Sequence, residues 1–82
     1  MTIHEAYVMG NDYYNPVQDV GIYNDFEFAK KQAELQASYY DHEPYVAVYE
    51  LKGKEFIQKE VWCKELGIEA WTLMRGDYDT CL

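Results

Sequence analysis

The sequence predicts an α+β domain: an antiparallel sheet of four to five strands carrying one helix, residues 25–40, on one face. Three observations predict it. A capped, two-striped amphipathic segment sits near the middle of the chain. A strongly β-prone run, Tyr45–Leu51, follows it and turns back through Lys52-Gly53-Lys54. Two further β-prone runs precede the helix. The expected order is β-β-α-β-β, with one more strand if residues 68–74 are extended.

Ile3–Met9 and Val17–Tyr23 read as the first two strands, with Gly21 marking a bulge in the second. Gly10–Pro16, dense in turn formers, joins them. Asn24-Asp25-Phe26-Glu27 has the form of a capping box, with Asn24 as the cap and Tyr23 and Phe28 at the staple positions. Glu27 with Lys31, and Lys30 with Glu34, are spaced for ion pairs along the helix. Phe26, Ala29, Ala33, Ala37 and Tyr40 form one apolar stripe; Phe28, Leu35 and Tyr39 form a second beside it. The simplest expectation places both stripes in the core, with a partner on the second stripe as the alternative. Glu55–Cys63 completes a hairpin with Tyr45–Leu51, and both alternating side-chain sets of that hairpin contain apolar residues. Ile68–Met74 reads as a fifth strand, with a short helix as the alternative, and residues 76–82 read as a frayed tail.

At 82 residues the chain is expected to form one domain. A chain this short buries only about 60–65% of its unfolded surface. Nine Tyr, three Phe and two Trp are the side chains best able to enlarge so small a core. There is no run of about 18 apolar residues, and the first residues lack the basic and apolar regions of a signal peptide. Two cysteines, Cys63 and Cys81, are too few for a disulfide framework, so a reduced, cytoplasmic setting is expected, with a Cys63–Cys81 bridge as the alternative.

The net charge is −8, and residues 1–29 contain no Lys or Arg. Such a field opposes direct binding of nucleic acid, which needs a basic footprint. It attracts basic proteins instead.

Catalytic signatures are absent from the sequence. The single serine, Ser38, has no glycine elbow around it. Cys63 with His4 or His42 is a nucleophile–base pairing the sequence offers, and a strand cysteine is more often a small core residue. Asp41-His42-Glu43 and Asp77 with Asp79 lack metal-site spacing, and the five glycines form no phosphate loop. The expectation is a protein that is not an enzyme and carries no cofactor or metal.

Tyrosine and aspartate recur together at three predicted loop or terminal sites: Asp12-Tyr13-Tyr14, Tyr39-Tyr40-Asp41 and Asp77-Tyr78-Asp79. Tyrosine supplies rigid contact area and a hydroxyl at low entropic cost, and neighbouring carboxylates suit a partner rich in Arg and Lys. Asp12, Tyr13, Tyr14, Asp41, Glu43, Asp77, Tyr78 and Asp79 are therefore the candidate partner-binding residues. The competing expectation is that several tyrosines only cap the core, Tyr40 foremost.

Val20-Gly21-Ile22-Tyr23-Asn24, the helical Phe28-Ala29 and the strand Val46–Leu51 together resemble small domains common in phage genomes. The likeness covers residues 3–62 and rests on structural motifs. Small acidic phage proteins of this size include anti-CRISPR proteins and other nucleic-acid mimics. The resemblance thus implies a phage-encoded inhibitor that occupies a basic groove on a host defence or nucleic-acid-processing complex. The basic hairpin and moderate acidity depart from the strongest mimics, and no functional residue carries over. A homo-oligomeric accessory module is the second reading. A small ligand-sequestering domain or enzyme with a Tyr- and Trp-lined pocket is the third.

Overall fold

The computed structural model describes residues 1–10, 17–40, 42–64 and 70–75, apart from the side chains of Tyr40 and Arg75. Five strands, β1 (Thr2–Met9), β2 (Val17–Tyr23), β3 (Glu43–Lys52), β4 (Glu55–Cys63) and β5 (Thr72–Arg75), surround one helix in sequence, α1 (Phe26–Tyr40). They form a single antiparallel sheet in the order β2-β1-β3-β4-β5. The α+β class and element order expected from the sequence are those observed. Residues 72–75 are a strand, while Ile68 and the tail from residue 76 lie outside the described residues.

The helix starts one residue later than the capping box predicts. Asp25, not Asn24, is the cap: its Oδ1 accepts from the backbone N–H of Glu27 at 2.9 Å and of Phe28 at 3.3 Å. An aspartate here satisfies two of the donors that the first helical turn leaves without partners, and places negative charge at the positive end of the helix dipole. Glu27 does not reach back to the cap; its carboxylate pairs with Lys30 Nζ at 2.8 Å instead. This i,i+3 pair stands where Glu27 with Lys31 was expected. The predicted ring contact between Tyr23 and Phe28 is present, edge-on at 5.2 Å between centroids.

Ala29, Ala33 and Ala37 are buried at successive turns of α1. With no side chain beyond Cβ, they bring the helix axis close to the sheet. Ala29 and Ala33 pack with Ala6 of β1 and Val46 of β3, and Val20, Tyr23, Phe26 and Trp71 close around them. The core therefore differs from the aromatic one expected. Among the described residues the largest fully buried side chains are Val8 and Val46 on the helix side and Cys63 on the other, while Tyr23, Phe26 and Trp71 pack at the margin of the core. The second helix stripe is not core either: Phe28, Leu35 and Tyr39 are exposed. On a 3.6-residue helix they stand almost opposite the alanines, so no single surface buries both rows.

The expected bulge occurs beside Gly21. Ala6 pairs with Gly21 but Tyr7 pairs with Asp19, leaving Val20 without a partner in the ladder. The extra residue lets Val20 join the core while Asp19 and Ile22 fall on the opposite face. Gly21 has a second reason to lack a side chain: a Cβ there would lie 2.6 Å from the Tyr23 hydroxyl oxygen. The β3–β4 turn uses Gly53 at φ 64°, a left-handed conformation glycine adopts without strain.

One polar cluster ties the far end of the sheet to the helix. Glu34 of α1 accepts from Lys64 Nζ and from the Trp71 indole N–H, both at 3.0 Å. Lys30 Nζ lies 4.6 Å from the Phe26 ring centroid, and its charge also acts on Glu34. Glu34 thus pairs with Lys64, thirty positions away, rather than with Lys30 as spaced. Burial raises the Glu34 pKa, but the bonds from Trp71 and Lys64 outweigh it and hold the carboxyl below its ordinary value. Among the described residues, no helix is long and apolar enough to cross a membrane.

Candidate protein-binding surface

Strand pleat and register divide the side chains between two faces. His4, Ala6 and Val8 of β1 face the helix, with Pro44, Val46 and Val48 opposite them on β3. His4 Nδ1 lies 3.2 Å from the Tyr23 carbonyl oxygen, and its ring packs on Phe26 at 5.5 Å. Residues of the other parity, Ile3, Glu5, Tyr7 and Met9, project to the side α1 does not cover. Their β3 counterparts are Tyr49, Ala47, Tyr45 and Glu43.

This second face is built around tyrosine. Tyr7 and Tyr45, directly opposite each other, stack at 5.2 Å between ring centroids with planes 15° apart. Close cross-strand aromatic pairs of this kind stabilise a sheet by about 0.5–1 kcal/mol. On its other side Tyr45 stands across the ladder from Cys63 of β4. Burial first, and then Cys63, Glu43 and Tyr7, push the Tyr45 phenol well above its ordinary value. One strand turn further, Tyr49 accepts a hydrogen bond from Gln58 Nε2 at 2.9 Å. Ala47, Val61 and Cys63 are buried in the middle of the face, and the rings of Tyr7, Tyr45 and Tyr49 remain half-buried around them.

Charge on this face has one sign over three adjacent strands. β1, β2 and β3 place Glu5, Asp19 and Glu43 there and no Lys or Arg. Exposed apolar side chains continue the surface at its edges: Val17 and Ile22 on β2, Phe56 on β4. A shallow cleft of about 340 Å³ opens between β1 and β2, lined by Glu5, Asp19, Val20, Gly21 and Ile22.

Of the residues expected to bind a partner, Glu43 lies on this face beside Tyr45. Asp12, Tyr13, Tyr14, Asp41, Asp77, Tyr78 and Asp79 lie outside the described residues. Tyr7, Tyr45 and Tyr49 did not stand out in the sequence, because strand tyrosines read as ordinary sheet formers. The signal that could have found them was the apolar content of both alternating sets, which marks a sheet with two unpolar faces.

Cys63 is buried on one face of the sheet and His4 stands on the other, so these two make no nucleophile–base pair. His42 packs its ring over the backbone of Gly10, where a Cβ would collide with it. Among the described residues, no three His, Cys, Asp or Glu side chains converge as a metal site. Comparison with protein-family models, curated proteins and solved structures gave no match.

Proposed function

We propose that this chain is a non-enzymatic binding protein whose acidic, tyrosine-bearing sheet face covers a basic surface of a partner protein. The supporting observation is the composition of that face: a stacked Tyr7–Tyr45 pair, Tyr49 beside it, and Glu5, Asp19 and Glu43 with no Lys or Arg on the same three strands. Tyrosine is among the side chains that dominate interface energetics. A field of one sign steers the opposite sign and raises association rates more than it raises affinity. Basic grooves that hold nucleic acid are the surfaces such a face suits best. The resemblance to small acidic phage proteins makes an anti-CRISPR-like inhibitor of a host nucleic-acid-handling complex the first form of this reading to test.

The test is affinity capture from a host lysate at low salt, elution on a salt gradient, and repetition with Glu43→Lys and Tyr7→Ala variants shown to be folded. The proposal expects a basic protein that elutes as salt rises, is displaced by nucleic acid, and is lost to both variants. Retention through high salt, or capture unaffected by both substitutions, contradicts it.

A homo-oligomer is the second reading, favoured by the exposed Phe28, Leu35 and Tyr39 on the outside of α1. Light scattering over a concentration series decides it: a mass that rises with concentration supports self-association, and a constant monomer mass removes it.

A further inference from the structure

We propose that the β2 edge is where the partner enters the sheet: an extended, Arg- or Lys-bearing segment adds as a sixth strand, with one cationic side chain in the Glu5–Asp19 cleft. This deepens the reading of the chain as a binder of basic proteins and rests on it.

The sheet order leaves two edges. β5 has four residues, while β2 has seven and pairs only with β1 among the described residues. An edge strand presents a row of N–H and C=O groups that its own sheet does not use, which is the template for strand addition. Natural edges are commonly guarded by Lys, Pro or a bulge. β2, Val-Gln-Asp-Val-Gly-Ile-Tyr, contains neither Lys nor Pro, and its pairing with β1 continues on both sides of its bulge. Its one irregularity is the bulge at Val20, and the bulge shapes the cleft. By turning Val20 inward it leaves Asp19 and Ile22 flanking Gly21, with Glu5 opposite Ile22 on β1.

The cleft combines two carboxylates with an apolar wall. Ile22 is exposed along it, and β1 and β2 carry no Lys or Arg that could neutralise Glu5 or Asp19. An Arg or Lys matches both parts, laying its methylene stem on Ile22 and its charged head between the acids. In an added strand successive side chains alternate between faces. A segment with cations at every second position therefore aligns them along the acidic face and turns the others toward the helix side.

The experiment uses the whole chain, isotope-labelled, titrated at low salt with a synthetic peptide of about eight residues alternating Arg and Val. Three control peptides accompany it: the same peptide with Glu in place of Arg, and two Arg/Val peptides N-methylated at alternate backbone nitrogens, one on each register. The expected result is perturbation centred on residues 17–23, slowed amide exchange there, and affinity weakened about tenfold or more by Asp19→Lys. The Glu peptide and the N-methylated peptide on the pairing register do not bind. Equal binding of both N-methylated peptides overturns strand addition. Equal binding of the Glu peptide overturns the cationic occupant. A concentration-dependent dimer that occupies residues 17–23 without peptide gives the edge to a second copy and overturns the proposal too. If a captured basic partner is lost to Glu43→Lys and Tyr7→Ala but binds Asp19→Lys unchanged, the edge assignment fails while the wider reading stands.

Discussion

Tyr45 stacks on Tyr7, its cross-strand partner, at 5.2 Å between ring centroids on the face of the sheet opposite the helix. Cys63, fully buried, sits across from Tyr45 on β4, so the stack borders packed side chains.

The Tyr45 phenol is raised above its ordinary value of 10.0 by burial first and by Cys63 second. Its contribution to stability is therefore fully present below that ordinary value and is lost as pH rises through the higher folded value. Alkaline titration followed by ultraviolet absorbance should show one phenol ionising after the other tyrosines, together with unfolding. Tyr45→Phe should remove that late phenol. A titration curve identical in the variant contradicts the assignment.

Glu34 provides the opposite case. Its carboxyl is held below the ordinary value of 4.5, so its contribution is present above that value and lost as pH falls through the lower folded one. The side chain is 39% exposed, which limits the ion pair's contribution through solvent screening. Glu34→Gln should cost about 1 kcal/mol, chiefly through the Trp71 and Lys64 bonds. The readout is a change in indole fluorescence with flatter acid unfolding; an unmoved indole signal argues against the contact.

Asp25 and Asn24 make contrasting predictions at the helix start. Asp25→Ala should destabilise the fold by about 0.5–2 kcal/mol, because it frees the Glu27 and Phe28 amides, whereas Asn24→Ala should change little. Thermal unfolding of both variants compares them directly. A larger loss at Asn24 restores the capping box read from the sequence.

The two helix stripes separate in the same manner. Ala33→Leu forces methylenes between α1 and the sheet, where Ala33 is fully buried, and should cost about 1–3 kcal/mol. Leu35→Ala removes an exposed side chain and should stay within about 0.5 kcal/mol. Chemical denaturation measures both, and a costly Leu35→Ala indicates that the outer stripe is covered.

Much of this architecture was legible because local chemistry determines it. Tyr45–Leu51, the Gly53 turn and the alanine stripe announce a strand, a hairpin and a closely packed helix without help from distant residues. The cap was misplaced by one position because Asn24 and Asp25 are both good caps, and only the geometry of the chain leaving β2 chooses between them. Glu34 was assigned a helical neighbour because the sequence displays spacing but not the arrival of Lys64 and Trp71 from elsewhere. The aromatic core failed for a similar reason: alanines at every fourth position bring helix and sheet too close for large rings between them. The candidate face was the least legible part. Tyr7, Tyr45 and Tyr49 acquire meaning only when β1 and β3 lie side by side, and that pairing joins strands separated in sequence by β2 and α1.

The tyrosine-bearing sheet face opposite α1 is the proposed binding surface. Its most direct test is side-chain NMR mapping of the labelled chain with a basic protein captured at low salt. The account predicts perturbation of the Tyr7, Tyr45 and Tyr49 rings and of the Ile3 and Ile22 methyls, fading as salt rises. Perturbation confined to Phe28, Leu35 and Tyr39 on the outer side of the helix contradicts it.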